Sequence, residues 1–186
     1  GGNRRIIRDG KWAGFGFQRN GPVDHSLPVM VATDLKGETR VIWSNYACHC
    51  TTIGGRNHIN GDWAGYANEL IEKNNKSAIS LLTIGCGADV GPQPSGDSKD
   101  AIKHGRAISK EVNKVISDDM IPLPGVTETA VKELQLPLQQ PKDRKHWQSQ
   151  LKVGGFHAEL AKSMLKKIDE EGSISSEVKY PIHTWK

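Results

Sequence analysis

The chain has 186 residues, 36% of them hydrophobic, and 25 basic against 21 acidic residues leave a net charge of +4. That length supplies one domain to one and a half with a substantial core. No apolar run approaches the roughly 18 residues of a membrane span, and apolar segments alternating with turn signals exclude wholesale disorder. The charge excess is local: residues 1–20 hold Arg4, Arg5, Arg8, Lys11 and Arg19 against Asp9 alone, and the remainder balances. A nucleic-acid surface spreads its cations along a face with aromatics between them. Charge confined to the first twenty residues argues against a nucleic-acid partner.

In chain order, residues 1–28 are rich in Gly, Arg and Asn with little periodicity, and read as a basic irregular arm. Val29–Thr33 and Thr39–Tyr46 read as strands joined by a turn at Lys36-Gly37-Glu38. Asp62 suits an N-cap for a helix whose apolar positions Trp63, Tyr66, Ala67, Leu70 and Ile71 keep helical spacing. Ala78–Ile84 is a continuous apolar run, expected to be a strand buried on both faces. A Gly- and Pro-dense loop over 85–98 follows, then a helix over 99–117 with Ile102, Ala107, Ile108, Val112, Val115 and Ile116 inward.

Pro122-Leu123-Pro124-Gly125 punctuates the chain. Beyond it come a strand at 126–138, a Pro141-led polar helix, a helix near 155–171 and an alternating strand ending at Trp185. The fold class is therefore α/β, a layered mixed sheet with flanking helices and ligand loops at the C-terminal ends of strands. Residues 29–121 form its core, and 122–186 read as a continuation of the same domain. A start on Gly-Gly-Asn without Met and an abrupt final strand read as an excised piece, truncated at both ends.

Ligands in open α/β sheets gather where strands end. Two loops meet that condition: residues 45–52, containing His49, and residues 85–92, containing Asp89. If their strands are neighbours, the two open on one crevice. His49 reads as a metal ligand, a general base or a core histidine. One histidine cannot hold zinc alone, and no HxH or HExxH pair exists; His58 is a weaker candidate. Asp89 among glycines reads as a carboxylate capping a tight turn or as a catalytic group. Arg4 and Arg5 have the planar fork that clamps an anion. Phosphate-loop and Gly-x-Ser-x-Gly patterns are absent. Cys48, Cys50 and Cys86 read as reduced, buried thiols, because Cys-x-Cys is too tight for an ordinary disulfide.

Taken together, several segments resemble the neutral/alkaline non-lysosomal ceramidase family. They are Asn45-Tyr46-Ala47-Cys48-His49 with Thr51, Gly61–Tyr66, and Gly85-Cys86-Gly87-Ala88-Asp89-Val90-Gly91-Pro92. Asn3-Arg4-Arg5, Gly21–Asp24, Leu134–Leu138 and Tyr180–Trp185 extend the likeness along nearly the whole chain.

The resemblance implies a zinc-dependent hydrolase of an N-acyl amide, or ester, bond. His49 would be one of four zinc ligands, the other three lying on the remainder of the polypeptide. Arg4 would be a catalytic, substrate-contacting arginine, with Arg5 and Thr51 beside it in substrate binding. Asp89 would orient water or a ligand histidine. The family's serine position is Gly91, which has no hydroxyl, so attack would fall to water whose pKa zinc lowers toward about 7. The resemblance further implies a small-molecule or lipid substrate, association with a membrane surface, and a secreted or cell-envelope location. Gly91 also keeps open a silent lipid- or glycan-binding module, and a purely structural α/β domain is the third reading.

Overall fold

The computed structural model describes residues 1–186 apart from His58, Asp119 and residues 124–127. The weaker candidate His58, part of the Pro-Gly boundary and the start of the strand expected at 126–138 lie outside the described residues. The chain divides into two compact units, Gly1–Pro122 and Leu123–Lys186. Among the described residues no helix is long and apolar enough to cross a membrane.

The first unit opens with β1 (Gly2–Arg8) and β2 (Lys11–Gln18), an antiparallel hairpin where an irregular arm was expected. Its turn is Asp9-Gly10, with φ of 49° and 72°. Positive φ at both central residues is the geometry that matches the twist of paired strands, and Asp-Gly favours it. Two register shifts interrupt the pairing, which blurs the alternation that betrays a strand.

Next come β3 (Val29–Thr33) and β4 (Thr39–Tyr46), α1 (Asp62–Asn74) and β5 (Ile79–Ile84). β3 and β4 are antiparallel, whereas β4 and β5 run parallel as neighbours with Tyr46 opposite Ile84. The two-residue β6 (Val90–Gly91) leaves this sheet and pairs with Gly2 and Asn3 of β1. α2 (Ser98–Ser117) begins at Asp97, whose carboxylate accepts the N–H groups of Lys99 and Asp100.

The core lies between the β3–β4–β5 sheet and the helix pair. Ile42, Ile71, Ala78 and Val112 form one cluster; Cys48, Trp63 and Val90 form a second beneath the ligand loops. Helices cover only one face of the sheet. Ile79 and Leu81, on the other face, are consequently exposed, as is Ile84 at the strand's end, and the expected burial of this strand on both faces does not hold. Ala107, expected inward on α2, is exposed as well.

Asp62 is not the N-cap of α1. Gly61 holds that place, while Asp62 has φ of 52° and its carboxylate accepts the N–H groups of Ile53 (3.0 Å) and Trp63 (2.8 Å). The side chain thus fastens the segment after His49 to the helix start.

The second unit contains β7 (Thr129–Pro137), α3 (Arg144–Gln150), α4 (Gly155–Glu171) and β8 (Glu177–Trp185). β7 and β8 pair antiparallel along their full length, Thr129 opposite Trp185. Arg144 of α3 is ion-paired with Asp169 of α4. Gly172, in the left-handed region with φ of 79°, ends α4 and returns its N–H to Ile168.

Candidate active site

Because β4 and β5 are parallel neighbours, the loops that follow them leave the same end of the sheet. They then pack backbone against backbone. Gly87 makes this contact possible: a Cβ there would lie 2.6 Å from the Cys48 nitrogen and 2.8 Å from the Ala47 carbonyl carbon. Real atoms do not approach so closely, and any side chain at 87 would force the loops apart.

His49 sits half-buried three residues past β4. Its backbone N–H donates to the Val90 carbonyl at 3.0 Å, and its own carbonyl accepts the Trp63 indole N–H at 2.9 Å. The ring is held at both nitrogens. Nε2 lies 2.8 Å from Arg4 Nη2, and Nδ1 lies 2.7 Å from the Gly87 carbonyl oxygen. Arginine only donates and a carbonyl only accepts. The hydrogen therefore resides on Nδ1, and the lone pair of Nε2 points toward the arginine.

Arg4 arrives from β1. Its backbone N–H donates to the Asp89 carbonyl at 2.7 Å, continuing the β1–β6 pairing. Its guanidinium donates from Nε and Nη2 to the Ala88 carbonyl, at 3.3 and 3.1 Å, and lies over the Phe15 ring, 5.0 Å from the centroid. Three separate stretches of chain thus converge on one imidazole.

The other expected residues are placed differently. The Asp89 carboxylate accepts from Asn3 Nδ2 at 3.2 Å, and the buried Asn3 also donates to the Pro22 carbonyl at 2.9 Å. Asp89 lines an open cavity of about 510 Å³ with Arg5, Ile7, Arg19 and Asn20, whereas the Arg4 guanidinium turns to His49. Gly91 is buried in β6, and a Cβ on it would contact Arg4 Cδ at 3.4 Å. Thr51 is exposed two residues past His49.

An apolar hollow of about 120 Å³ adjoins the loop, lined by Tyr46, Cys48, Trp63, Pro92 and Ile108. Burial pushes the Cys48 thiol and the Tyr46 hydroxyl up from their ordinary values. All three cysteines are free, but only Cys48 is buried; Cys50 and Cys86 are exposed, contrary to expectation.

Sequence reasoning missed Gly87, which fixes the imidazole, and Phe15, which supports Arg4. Only the Asp9-Gly10 turn signal could have revealed the second, by pairing the strands that bring Arg4 beside Phe15. Among the described residues no three His, Cys, Asp or Glu side chains group as a metal site. His49 alone fits one ligand: an imidazole whose Nδ1–H is held by a carbonyl presents Nε2 in the manner of metal-binding histidines.

No protein-family model matches the chain, and no curated protein matches it. Among solved structures it is similar to a ceramidase complexed with C2, with a TM-score of 0.55 and 15% identity over 63% of this chain and 21% of that one. It is also similar to the neutral ceramidase from Pseudomonas aeruginosa, with a TM-score of 0.54 and 14% identity over 88% of this chain and 33% of that one. The chain therefore spans a third or less of the length of these structures. At such identities the likeness concerns architecture, and the chain has a ceramidase-like fold.

Proposed function

We propose that this chain is part of a ceramidase-like, zinc-dependent hydrolase acting on an N-acyl amide or ester bond of a lipid or related small molecule. The observation that carries this reading is the His49 imidazole. It is fixed through Nδ1 by Gly87 and directs its Nε2 lone pair into the space shared with Arg4. In this reading His49 is one zinc ligand, and the others come from outside the described residues.

Zinc bound there supplies Lewis-acid activation of water and of the scissile carbonyl. Nε2 cannot serve Arg4 and a metal together. With zinc on Nε2, Arg4 would keep its hold on the Ala88 carbonyl through Nε and would have its terminal N–H groups available to an oxyanion. Asn3 holds the Asp89 carboxylate, and with it the loop that carries Ala88. Asp89 is thereby a positioning residue. Gly91 leaves room beside Arg4 where a serine would place a hydroxyl.

A second reading rests on that same glycine: a module that binds lipid or glycan without cleaving it. Acid release from a panel of N-acyl and ester substrates, long-chain ceramide included, separates the two in polypeptide that carries the remaining ligands. Turnover in step with zinc content, abolished in His49→Ala, supports hydrolysis. Lipid binding without turnover at full zinc occupancy replaces hydrolysis with the binding module.

A further inference from the structure

We infer that the open cavity beside β1 binds a small phosphate monoester, with Arg5 and Arg19 holding its phosphoryl group. The cavity, of about 510 Å³, is walled by Asn3, Arg5 and Ile7 of β1, by residues 18–22 and by Asp89. Small-ligand pockets span about 300–1,000 Å³. Neither Arg4 nor His49 lines it. Strand alternation is the cause, because successive side chains leave opposite faces. Arg4 turns to His49, and Arg5 turns into the cavity. Arg5, placed beside Arg4 by the resemblance, thereby belongs to a second site.

The wall is a fixed one. Asn3 is only 5% exposed, and its Nδ2 donates to the Pro22 carbonyl at 2.9 Å and to Asp89 Oδ2 at 3.2 Å. Its Oδ1 accepts the Arg5 backbone N–H at 3.0 Å. One buried amide thus ties three parts of the lining together. Gly21 closes on it so tightly that a Cβ there would lie 2.5 Å from Asn3 Cβ. The Gly21 N–H donates to the Gln18 carbonyl at 3.2 Å, which holds the turn that carries Arg19.

The charges identify the ligand. Arg5 and Arg19 are exposed, and neither guanidinium has an ion pair or hydrogen bond among the described residues. Set against the single Asp89 carboxylate, they leave the lining positive. A carboxylate is matched by one guanidinium fork. A phosphoryl group carries nearly two charges and three acceptor oxygens, enough for two forks. The Asp89 carboxylate and the Asn20 amide suit hydroxyl groups, and Ile7 offers an apolar edge to carbon. A phosphorylated polyol has all three features. Further protein seated here would have to bring an acid for each guanidinium it covered, and the test separates that source of oxyanion. The inference stands whether or not His49 serves hydrolysis.

The test is calorimetric titration with inorganic phosphate, glucose 6-phosphate, glucose and acetate at constant ionic strength. It is run on residues 1–186 and on polypeptide that carries the remainder. Phosphate should bind both, glucose 6-phosphate should bind more tightly, and glucose and acetate should not bind. Arg5→Ala and Arg19→Ala should each weaken phosphate binding by about tenfold or more, and the lysine variants by less. Asn20→Ala should shrink the advantage of glucose 6-phosphate over phosphate. Arg8→Ala, outside the cavity, should change nothing. All are exposed positions, and circular dichroism checks that the fold persists. Absence of phosphate binding, or equal binding of acetate, overturns the inference. A loss in Arg8→Ala as large as in Arg5→Ala does so too, because it marks a diffuse charge effect. So does phosphate binding by residues 1–186 that vanishes in the longer polypeptide, where an acid of that polypeptide then fills the cavity.

Discussion

Asp62 shows how much one carboxylate can organise. Burial alone would raise its pKa, but the hydrogen bonds it accepts, those from the Ile53 and Trp63 N–H groups among them, outweigh burial and hold it below the ordinary 3.8. A carboxyl depressed in the folded state adds stability above its unfolded pKa, and that stability is lost as pH falls through the folded value. Stability should therefore drop on acidification below about pH 4, and Asp62→Asn should flatten that drop in denaturant titrations across pH 2 to 6. At the site itself, Arg4→Ala should cost about 2–4 kcal/mol of transition-state stabilisation, the range for one lost oxyanion donor. Arg4→Lys should recover only part, since an ammonium lacks the planar fork. Gly91→Ser should change kcat modestly if water is the nucleophile. Steady-state kinetics on a cleaved N-acyl substrate decides these three.

Among the elements, α1 and α2 meet across a glycine. A Cβ on Gly105 would lie 2.6 Å from Tyr66 Cβ and 2.9 Å from both the Ala67 nitrogen and the Trp63 oxygen. Gly105→Ala should destabilise by about 1–3 kcal/mol through overpacking, despite the better helix propensity of alanine, and thermal unfolding measures it. Periodicity made these two helices legible, with α2 starting within a residue of expectation, and it gave β3 and β4 their full extents. The same reasoning failed at the first hairpin. Glycines at 14 and 16 break the side-chain alternation, which leaves the Asp9-Gly10 turn without a readable strand after it. His49 and the 85–92 loop were legible as neighbours, because both follow strands of one sheet. The Gly87 carbonyl that orients the ring was not, since any residue type supplies a carbonyl and only the fold aims it.

At the scale of the molecule, the β3–β4–β5 sheet is covered on one face and bare on the other. Ile42, wholly buried under the helices, should cost about 2–5 kcal/mol as Ile42→Ala. Leu81, on the bare face and 49% exposed, should change stability by less than about 1 kcal/mol as Leu81→Ser. Composition alone could not reveal that difference, because β5 reads equally apolar on both faces. The metal balance belongs to this scale too. Residues 1–186 by themselves should retain zinc at well below one equivalent after dialysis, measured by elemental analysis, because His49 stands without a second and third ligand among the described residues.

The pairing of β1 with the two-residue β6 also bears on the order in which the site is built. Asn3 and Asp89 lie 86 positions apart in the chain. On a ribosome adding about 5–20 residues per second, the first strand waits on the order of ten seconds before the loop that seats Arg4 emerges. Until then the nascent segment carries bare aromatic rings and unpaired arginines with no partner of its own. Slowing translation between β1 and β6 prolongs that interval, and would lower the yield of soluble protein without touching a single contact of the finished fold.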